Sequence, residues 1–425
     1  MGGGIGAGQL VTAVAVVVSA GCYLLYLGRP GMLKWFDLGV YNHAGLIVRH
    51  HPARLYRWQL EPGIKFTYTP FAALIFAVGS KLSLTTLHWL MTLTSVAALA
   101  LTGGLTFGGL GWRGARRATA AAALFAACLW LEPVVRALQL GQIELLLMLV
   151  IVWDLSLPDR RWWKGAGIGI AAGIKMVPLI FIPYLVLCGK FRQALVASGA
   201  MAVSVLAGFA VLPGDSAKWW LTGYFLHAGN TGDVSSLVNQ SLYAVLARAM
   251  GGSTQATPVW LLTDVLVAGV GLSAAAVLHR RGQPVAGWVA CAVTGLLVSP
   301  VSWDQHWVWL VPVLAVLADR AVRTRGWARA GYWGLTVVTV GTYTAWPSWW
   351  YGPHAFRTHY GLIGFFAGPH PYAEMYHLHG FQLVTWNLYA AGGVVMLGLA
   401  IATATRAWRS ASTPDGTGGA LAAPS

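Results

Sequence analysis

Few side chains in this sequence could do chemistry, and most of them lie where an ionisable group is costly. Asp37 sits in Trp35-Phe36-Asp37-Leu38-Gly39-Val40-Tyr41. A carboxylate among aromatic and aliphatic neighbours loses hydration and gains basicity, which suits a general base. The same residue also reads as a helix N-cap, because Asp before an apolar run is a helix start signal. Lys175 lies in Gly173-Ile174-Lys175-Met176-Val177-Pro178. At membrane depth it needs an anion, either a lipid phosphate or a carboxylate, unless it snorkels to an interface. Arg136 and Gln142 flank a turn, and Arg can clamp a phosphate in a bidentate way or serve as an interfacial anchor. Asp304 and His306 follow Ser299-Pro300-Val301-Ser302-Trp303 at the mouth of an apolar run. His306 reads as a hydrogen-bond donor to a phosphate oxygen, as a residue that orients a base, or as one member of an aromatic belt.

Some patterns are absent. There is no Gly-x4-Gly-Lys-Ser/Thr loop, no Gly-x-Gly-x-x-Gly after a strand, no Gly-x-Ser-x-Gly elbow and no Asp-x-Asp pair. A cytoplasmic nucleotide-dependent enzyme is therefore disfavoured. Residues 346–381 carry Trp346, Trp349, Trp350, Tyr351, His354, His359, His370, His377 and His379. Their spacing fits no helical metal pair, so this segment reads as an aromatic outer loop. No metal site is expected. The four cysteines, Cys22, Cys128, Cys188 and Cys291, lie far apart in apolar stretches and read as small core residues.

The elements that must position these residues are membrane spans. Of 425 residues, 57% are hydrophobic and only 10% are charged. A soluble domain carries roughly 25% charged residues, so a soluble enzyme is excluded. The net charge of +15 need not mean nucleic acid, since Arg and Lys gather in cytoplasmic loops beside anionic lipid. The arginine excess with abundant Ala and Gly points to a GC-rich genome. Apolar stretches run over 5–27, 68–107, 118–135, 141–157, 166–188, 193–213, 257–278, 284–301, 306–318, 328–346 and 382–405. Arg29 follows the first, which reads as a span and not a cleaved signal. Basic clusters at Arg113/Arg116/Arg117, Arg160/Arg161/Lys164, Lys190/Arg192, Arg280/Arg281, Arg320/Arg323/Arg325/Arg329 and Arg406/Arg409 are placed inside. Segment 166–188 begins and ends beside basic clusters, so it reads as an in-and-out pair broken around Gly173 to Pro178. Loop 28–66 is itself basic, and its side of the membrane depends on whether 68–107 crosses once or twice. Residues 1–409 form one transmembrane domain, and the Ser/Thr/Pro/Gly-rich tail 410–425 reads as disordered and cytoplasmic.

The ordered set of motifs resembles glycosyltransferase family 87, the membrane enzymes of GT-C fold. It comprises Asp37-Leu38-Gly39-Val40-Tyr41, Phe66-Thr67-Tyr68-Thr69-Pro70, Gly141-Gln142, Gly173 to Pro178, Asn239-Gln240-Ser241-Leu242 and Ser299 to Trp309. The chain departs from the family at Thr69, Glu144 and Gln305, where Pro, Asn and His are frequent. The resemblance implies an all-α polytopic membrane protein with about 12 transmembrane crossings and juxtamembrane loop helices on the outer face. Loop 28–66 is then outside and 68–107 crosses once. It implies an inverting transferase of the plasma membrane, similar to actinobacterial α-(1→2)-mannosyltransferases. The donor is polyprenyl-phosphate-mannose, and the acceptor is a phosphatidylinositol mannoside or lipoglycan on the outer face. By the same resemblance, Asp37 is the base, with Lys175, Arg136 and His306 at the leaving phosphate. Gln142, Tyr68, Asn239 and Gln240 contact the sugar, Asp304 lies beside the phosphate site, and Trp303 and Trp307 stack on sugar or line the prenyl groove. No cofactor or metal is implied. The alternatives are another lipid-phosphate sugar, arabinofuranose or glucose, and a lipid-sugar transporter. The transporter is disfavoured because no second half repeats the broken pair.

Overall fold

The computed structural model describes residues 6–28, 33–59, 65–345, 361–367 and 376–412. The described chain is helical, with three isolated β-bridges and no strand among these residues. The N-terminal part holds α1 (Ala7–Leu27), α2 (Phe36–His50), α3 (Pro70–Gly79), α4 (Leu84–Gly109) and α5 (Gly114–Cys128). Next come α6 (Glu132–Leu140), α7 (Glu144–Ser156), α8 (Ala166–Ile174), α9 (Phe181–Leu187), α10 (Phe191–Val211) and α11 (Pro213–Ser216). The remainder is α12 (Leu242–Met250), α13 (Ser253–Arg280), α14 (Pro284–Val298), α15 (Leu310–Arg323), α16 (Gly326–Tyr343), α17 (Gly361–Ala367), α18 (Phe381–Thr385) and α19 (Leu388–Ser412).

Five helices are long and apolar enough to cross a bilayer: α1, α4, α10, α13 and α19. The α6–α7 pair passes as a sixth, bent by 116°. Their outward faces stay apolar, as lipid requires: Val17 is 71% exposed and Val265 72%. Stretch 68–107 divides into two helices. With ten residues, α3 is about 15 Å long, half of what a hydrocarbon core of about 30 Å demands, so α4 alone spans there. Cys128, Cys188 and Cys291 are buried as expected, whereas Cys22 is exposed on the flank of α1. Helix α19 runs to Ser412, and the rest of the tail lies outside the described residues.

Two breaks shape the interior. The first is the elbow between α6 and α7. Gly141 closes α6 with φ +69°, a left-handed turn that suits glycine, and a Cβ there would press on Leu38. Helix α2 therefore lies directly on the elbow. Its entry is fixed by the Lys34 and Trp35 N–H groups, which donate to Gln139 O at 3.0 and 2.8 Å. The second break follows α8. Gly165, Gly169 and Gly173 let α8 approach α10 closely, because a Cβ at each would strike Gln193, Ala197 or Ser204. The helix stops at Lys175, whose backbone is extended. Pro178 has no N–H to return to Ile174, and the Thr69 hydroxyl instead donates to the carbonyls of Gly173 and Ile174. Thr69 also caps α3 by accepting from Ala72 N at 3.2 Å. One threonine thus serves the C-terminal end of α8 and the N-terminus of α3.

Candidate active site

Helix α2 presents Asp37 in its first turn, over the elbow. The N-cap position is occupied by Trp35, in the left-handed region at φ 43°, and no side chain caps the helix. The capping reading of Asp37 is thus set aside, because its carboxylate is engaged elsewhere: Gln142 Nε2 donates to Asp37 Oδ2 at 2.6 Å. Gln142 Oε1 accepts from Tyr41 OH at 2.8 Å and from Tyr68 OH at 3.2 Å. The amide is therefore oriented by two phenols before it meets the acid. Desolvation in this wall pushes the Asp37 carboxyl up to about 7. The Glu144 charge adds to the rise, while the Gln142 hydrogen bond and the Lys175 and Arg136 charges oppose it. The acid therefore exchanges its proton near neutral pH, as a base should.

A second group stands beside the first. The extended backbone after α8 projects Lys175 to Glu144, with which it forms a short ion pair, and to His306 Nε2 at 2.9 Å. His306 Nε2 lies 3.2 Å from Glu144 Oε1, and both side chains are 7% exposed. Lys175 Nζ is also 3.4 Å from Tyr68 OH, so Tyr68 joins the two groups. The Lys175 anion is thus a carboxylate of the protein, supplied by the first turn of α7. Arg136 is held by Asp304 at 3.3 Å and Glu132 at 3.8 Å. Glu132 in turn accepts from Tyr389 OH at 2.8 Å. Both cations are fixed before any ligand arrives. Among the described residues, the buried Nδ1 of His306 and Oε2 of Glu144 have no hydrogen-bond partner.

A cavity of about 860 Å³ joins these residues. Asp37, Tyr68, Arg136, Gln142, Lys175, Trp303, Asp304 and His306 all line it. Two predicted sugar contacts do not. Asn239 and Gln240 are fully buried, and their amides are consumed by backbone. Asn239 accepts from Ser302 N at 2.9 Å and donates to Val234 O and Pro300 O, so it clamps the two loops that frame the cavity. Gln240 donates to Leu237 O and Trp386 O and accepts from Tyr389 N. Trp307 also lies away from the cavity, 1% exposed against Tyr343 and Tyr389. Of the histidines in 346–381, His377 packs on Gly251, and His354, His359 and His370 lie outside the described residues. No group of three or more His, Cys, Asp or Glu placed to hold a metal occurs among the described residues.

The structure also brings in residues to which the sequence reading gave no role. Glu132, Glu144 and Tyr41 support the site, and Lys65 lines the cavity away from the Asp37 and Lys175 groups, bonded to Asn230. Glu132 and Glu144 carried a signal, since a carboxylate within an apolar stretch needs a reason. Tyr41 and Lys65 carried none beyond their place beside Asp37 and Tyr68.

Comparison with known proteins covers part of the site, Tyr68, Arg136, Gln142 and Lys175 lying within the matched family profile. The profile of glycosyltransferase family 87 matches residues 66–300. A polyprenol-phosphate-mannose-dependent alpha-(1-2)-phosphatidylinositol pentamannoside mannosyltransferase of Mycobacterium tuberculosis (strain CDC 1551 / Oshkosh) is 31% identical over 334 residues, 76% of each chain. A polyprenol-phosphate-mannose-dependent alpha-(1-2)-phosphatidylinositol mannoside mannosyltransferase of the same species (strain ATCC 25618 / H37Rv) is 29% identical over 313 residues, 71% of each chain. A protein of that second name from Mycolicibacterium smegmatis is 32% identical over 282 residues, 62% of this chain and 63% of its own. No solved structure matches the chain.

Proposed function

The chain belongs to glycosyltransferase family 87, and from that premise we propose the reaction its cavity performs. It transfers a mannosyl unit from polyprenyl-phosphate-mannose to a phosphatidylinositol mannoside, forming an α-(1→2) link. The observation that carries this reading is the single cavity in which Asp37, held by Gln142, stands with the fixed cations Lys175 and Arg136. The relatives' names supply donor and acceptor.

Asp37 takes the proton from the acceptor hydroxyl. The oxygen attacks the anomeric carbon of the β-mannosyl phosphate from the face opposite the phosphate. The bond from that carbon to the phosphate oxygen breaks, and polyprenyl phosphate leaves with the electron pair. Inversion yields the α link. Negative charge grows on the leaving phosphate, and Lys175, Arg136 and His306, all on the cavity wall, are the groups that stabilise it. Because cations already fixed by carboxylates need no reorganisation at the moment of transfer, they can take the place of a metal. Trp303, on the cavity wall, offers a face for a sugar ring.

The membrane arrangement we propose has loop 28–66 and the cavity on the extracytoplasmic face of the plasma membrane. It has twelve passes, counting both limbs of the broken 166–188 pair, and both termini are cytoplasmic. The basic clusters then all lie inside. The carrier's prenyl chain reaches the cavity laterally from the bilayer.

The test uses purified protein in lipid with radiolabelled polyprenyl-phosphate-mannose and a phosphatidylinositol mannoside. The expected product loses its label to an α-(1→2)-specific mannosidase. Preferred use of the arabinofuranosyl or glucosyl carrier would replace mannose as the donor sugar. Movement of intact carrier across the bilayer without transfer would put the transporter in place of the enzyme.

A further inference from the structure

The charges lining the cavity are unevenly compensated. Lys175 is neutralised by Glu144, and Arg136 by Asp304 and Glu132. Lys65 also lines the cavity, and among the described residues its ammonium is held by the neutral amide of Asn230, with Nζ to Oδ1 at 3.1 Å. No described carboxylate forms an ion pair with it. The Asn230 amide is itself aimed by a bond from its Nδ2 to Tyr224 O at 3.2 Å. Asp233, the nearest acid in sequence to Asn230, is taken by Ser235 and by Tyr376 OH at 3.1 Å. The segment carrying Asn230 also presents Leu226, 72% exposed, on the cavity lining, with Leu221, 75% exposed, five residues before it. A half-buried cation with spare donors next to outward-facing leucines matches an amphiphile whose anionic head adjoins acyl chains. Lys65 stands three residues before Tyr68. That puts at most about 10 Å between the two backbones, and Tyr68 in turn bonds Gln142 beside Asp37, so the lysine and the acid face one cavity.

Resting on the transferase reading above, we propose that Lys65 and Asn230 form a phosphodiester subsite that anchors the lipid acceptor, separate from the Lys175–His306 cradle of the donor phosphate. The subsite selects acceptors carrying a diester phosphate on a diacyl lipid. The donor, whose phosphate is the leaving group, does not use it.

Two arms separate the two sources of phosphate. In the first, wild type, K65Q and K65R are assayed with a phosphatidylinositol mannoside and with an alkyl α-mannoside that lacks phosphate. The proposal expects K65Q to raise the KM of the phosphate-bearing acceptor about tenfold. The KM of the donor and the kinetics with the alkyl mannoside should stay within twofold, and K65R should restore most of the loss. A rise in donor KM would assign Lys65 to the donor. Equal loss with both acceptors would make it a structural residue, and no change would remove it from the site. In the second arm, binding of phosphatidylinositol mannoside against a matched diacylglycerol mannoside is measured by native mass spectrometry without donor. Wild type should prefer the phosphodiester and K65Q should not. This arm reads the subsite even if the transferred sugar proves different, so the two failures are distinguishable.

Discussion

Asp37 concentrates the chemistry of this molecule into one titration. Its carboxyl lies near 7 because burial disfavours the anion, while the Gln142 bond and two cations hold the value below where burial alone would carry it. A base acts only when deprotonated, so activity should rise with pH through about 7 and level off above it. A kcat/KM profile that is flat from pH 5.5 to 8.5 would contradict this role. Glu144 acts differently. It is the shared partner of Lys175 and His306, and it offsets the charge that grips the departing phosphate. Glu144→Gln should therefore lower the KM for the donor and strengthen inhibition by polyprenyl phosphate, with kcat falling about tenfold as product release slows. A raised donor KM would overturn that assignment. At this scale the sequence drew attention to charges in apolar settings, at Asp37, Lys175 and Arg136, and left open whether they were cap, snorkelling side chain and anchor; the cavity brings the three together. The sequence was not legible at Asn239 and Gln240. A buried amide serves a sugar hydroxyl and a backbone carbonyl equally well, and only the fold decides which partner is present.

At the scale of elements, the site depends on two discontinuities and one clamp. The break after α8 aims Lys175, and its place is set by Gly173 packed on Ser204 of α10. Gly173→Ala should push the helices apart and reduce transfer. Adding Ser204→Gly should recover most of the loss, since the combination reopens the space; coupling of this kind is what a double-mutant cycle measures. If the second change makes no difference, the contact does not set the position of Lys175. The clamp is Arg248, fully buried on α12. It donates to Ser236 O at 2.7 Å, Asn239 O at 2.9 Å and Ser235 O at 3.3 Å, and to the Asn387 side chain before α19. Burial alone pushes its guanidinium down to about 9, with only Asp233 opposing. Arg248→Met would strand three carbonyls at about 1 kcal/mol or more each, costing at least about 3 kcal/mol. Thermal unfolding in detergent should show a clear drop; an unchanged midpoint would mean that the loops hold without it. The break near Gly173 could be read from Gly and Pro placement. The turn between Arg136 and Gln142 could be read as well, but the 116° bend at Gly141 could not, because α2 rests against it.

For the whole molecule, composition and basic clusters were enough to give a helical membrane body, since lipid admits only helices and closed barrels and the apolar stretches have the length of helices. Individual spans were harder to read, because an apolar stretch such as 68–107 hides a turn that splits it into a short helix and a long one. The proposed topology predicts that a cysteine placed in the 282–283 turn is labelled only from the cytoplasmic side, and labelling from outside would reverse it. The central claim is that this fold performs metal-free transfer of mannose from a lipid phosphate, with Asp37 as the base. The most direct measurement is transfer of radiolabelled mannose from polyprenyl-phosphate-mannose by wild type and Asp37→Asn, both purified in lipid and both with EDTA present. The account predicts product from wild type and a loss of at least about 10²-fold in the variant, which should remain folded. Activity that survives in the variant, or that wild type loses to EDTA, would contradict it.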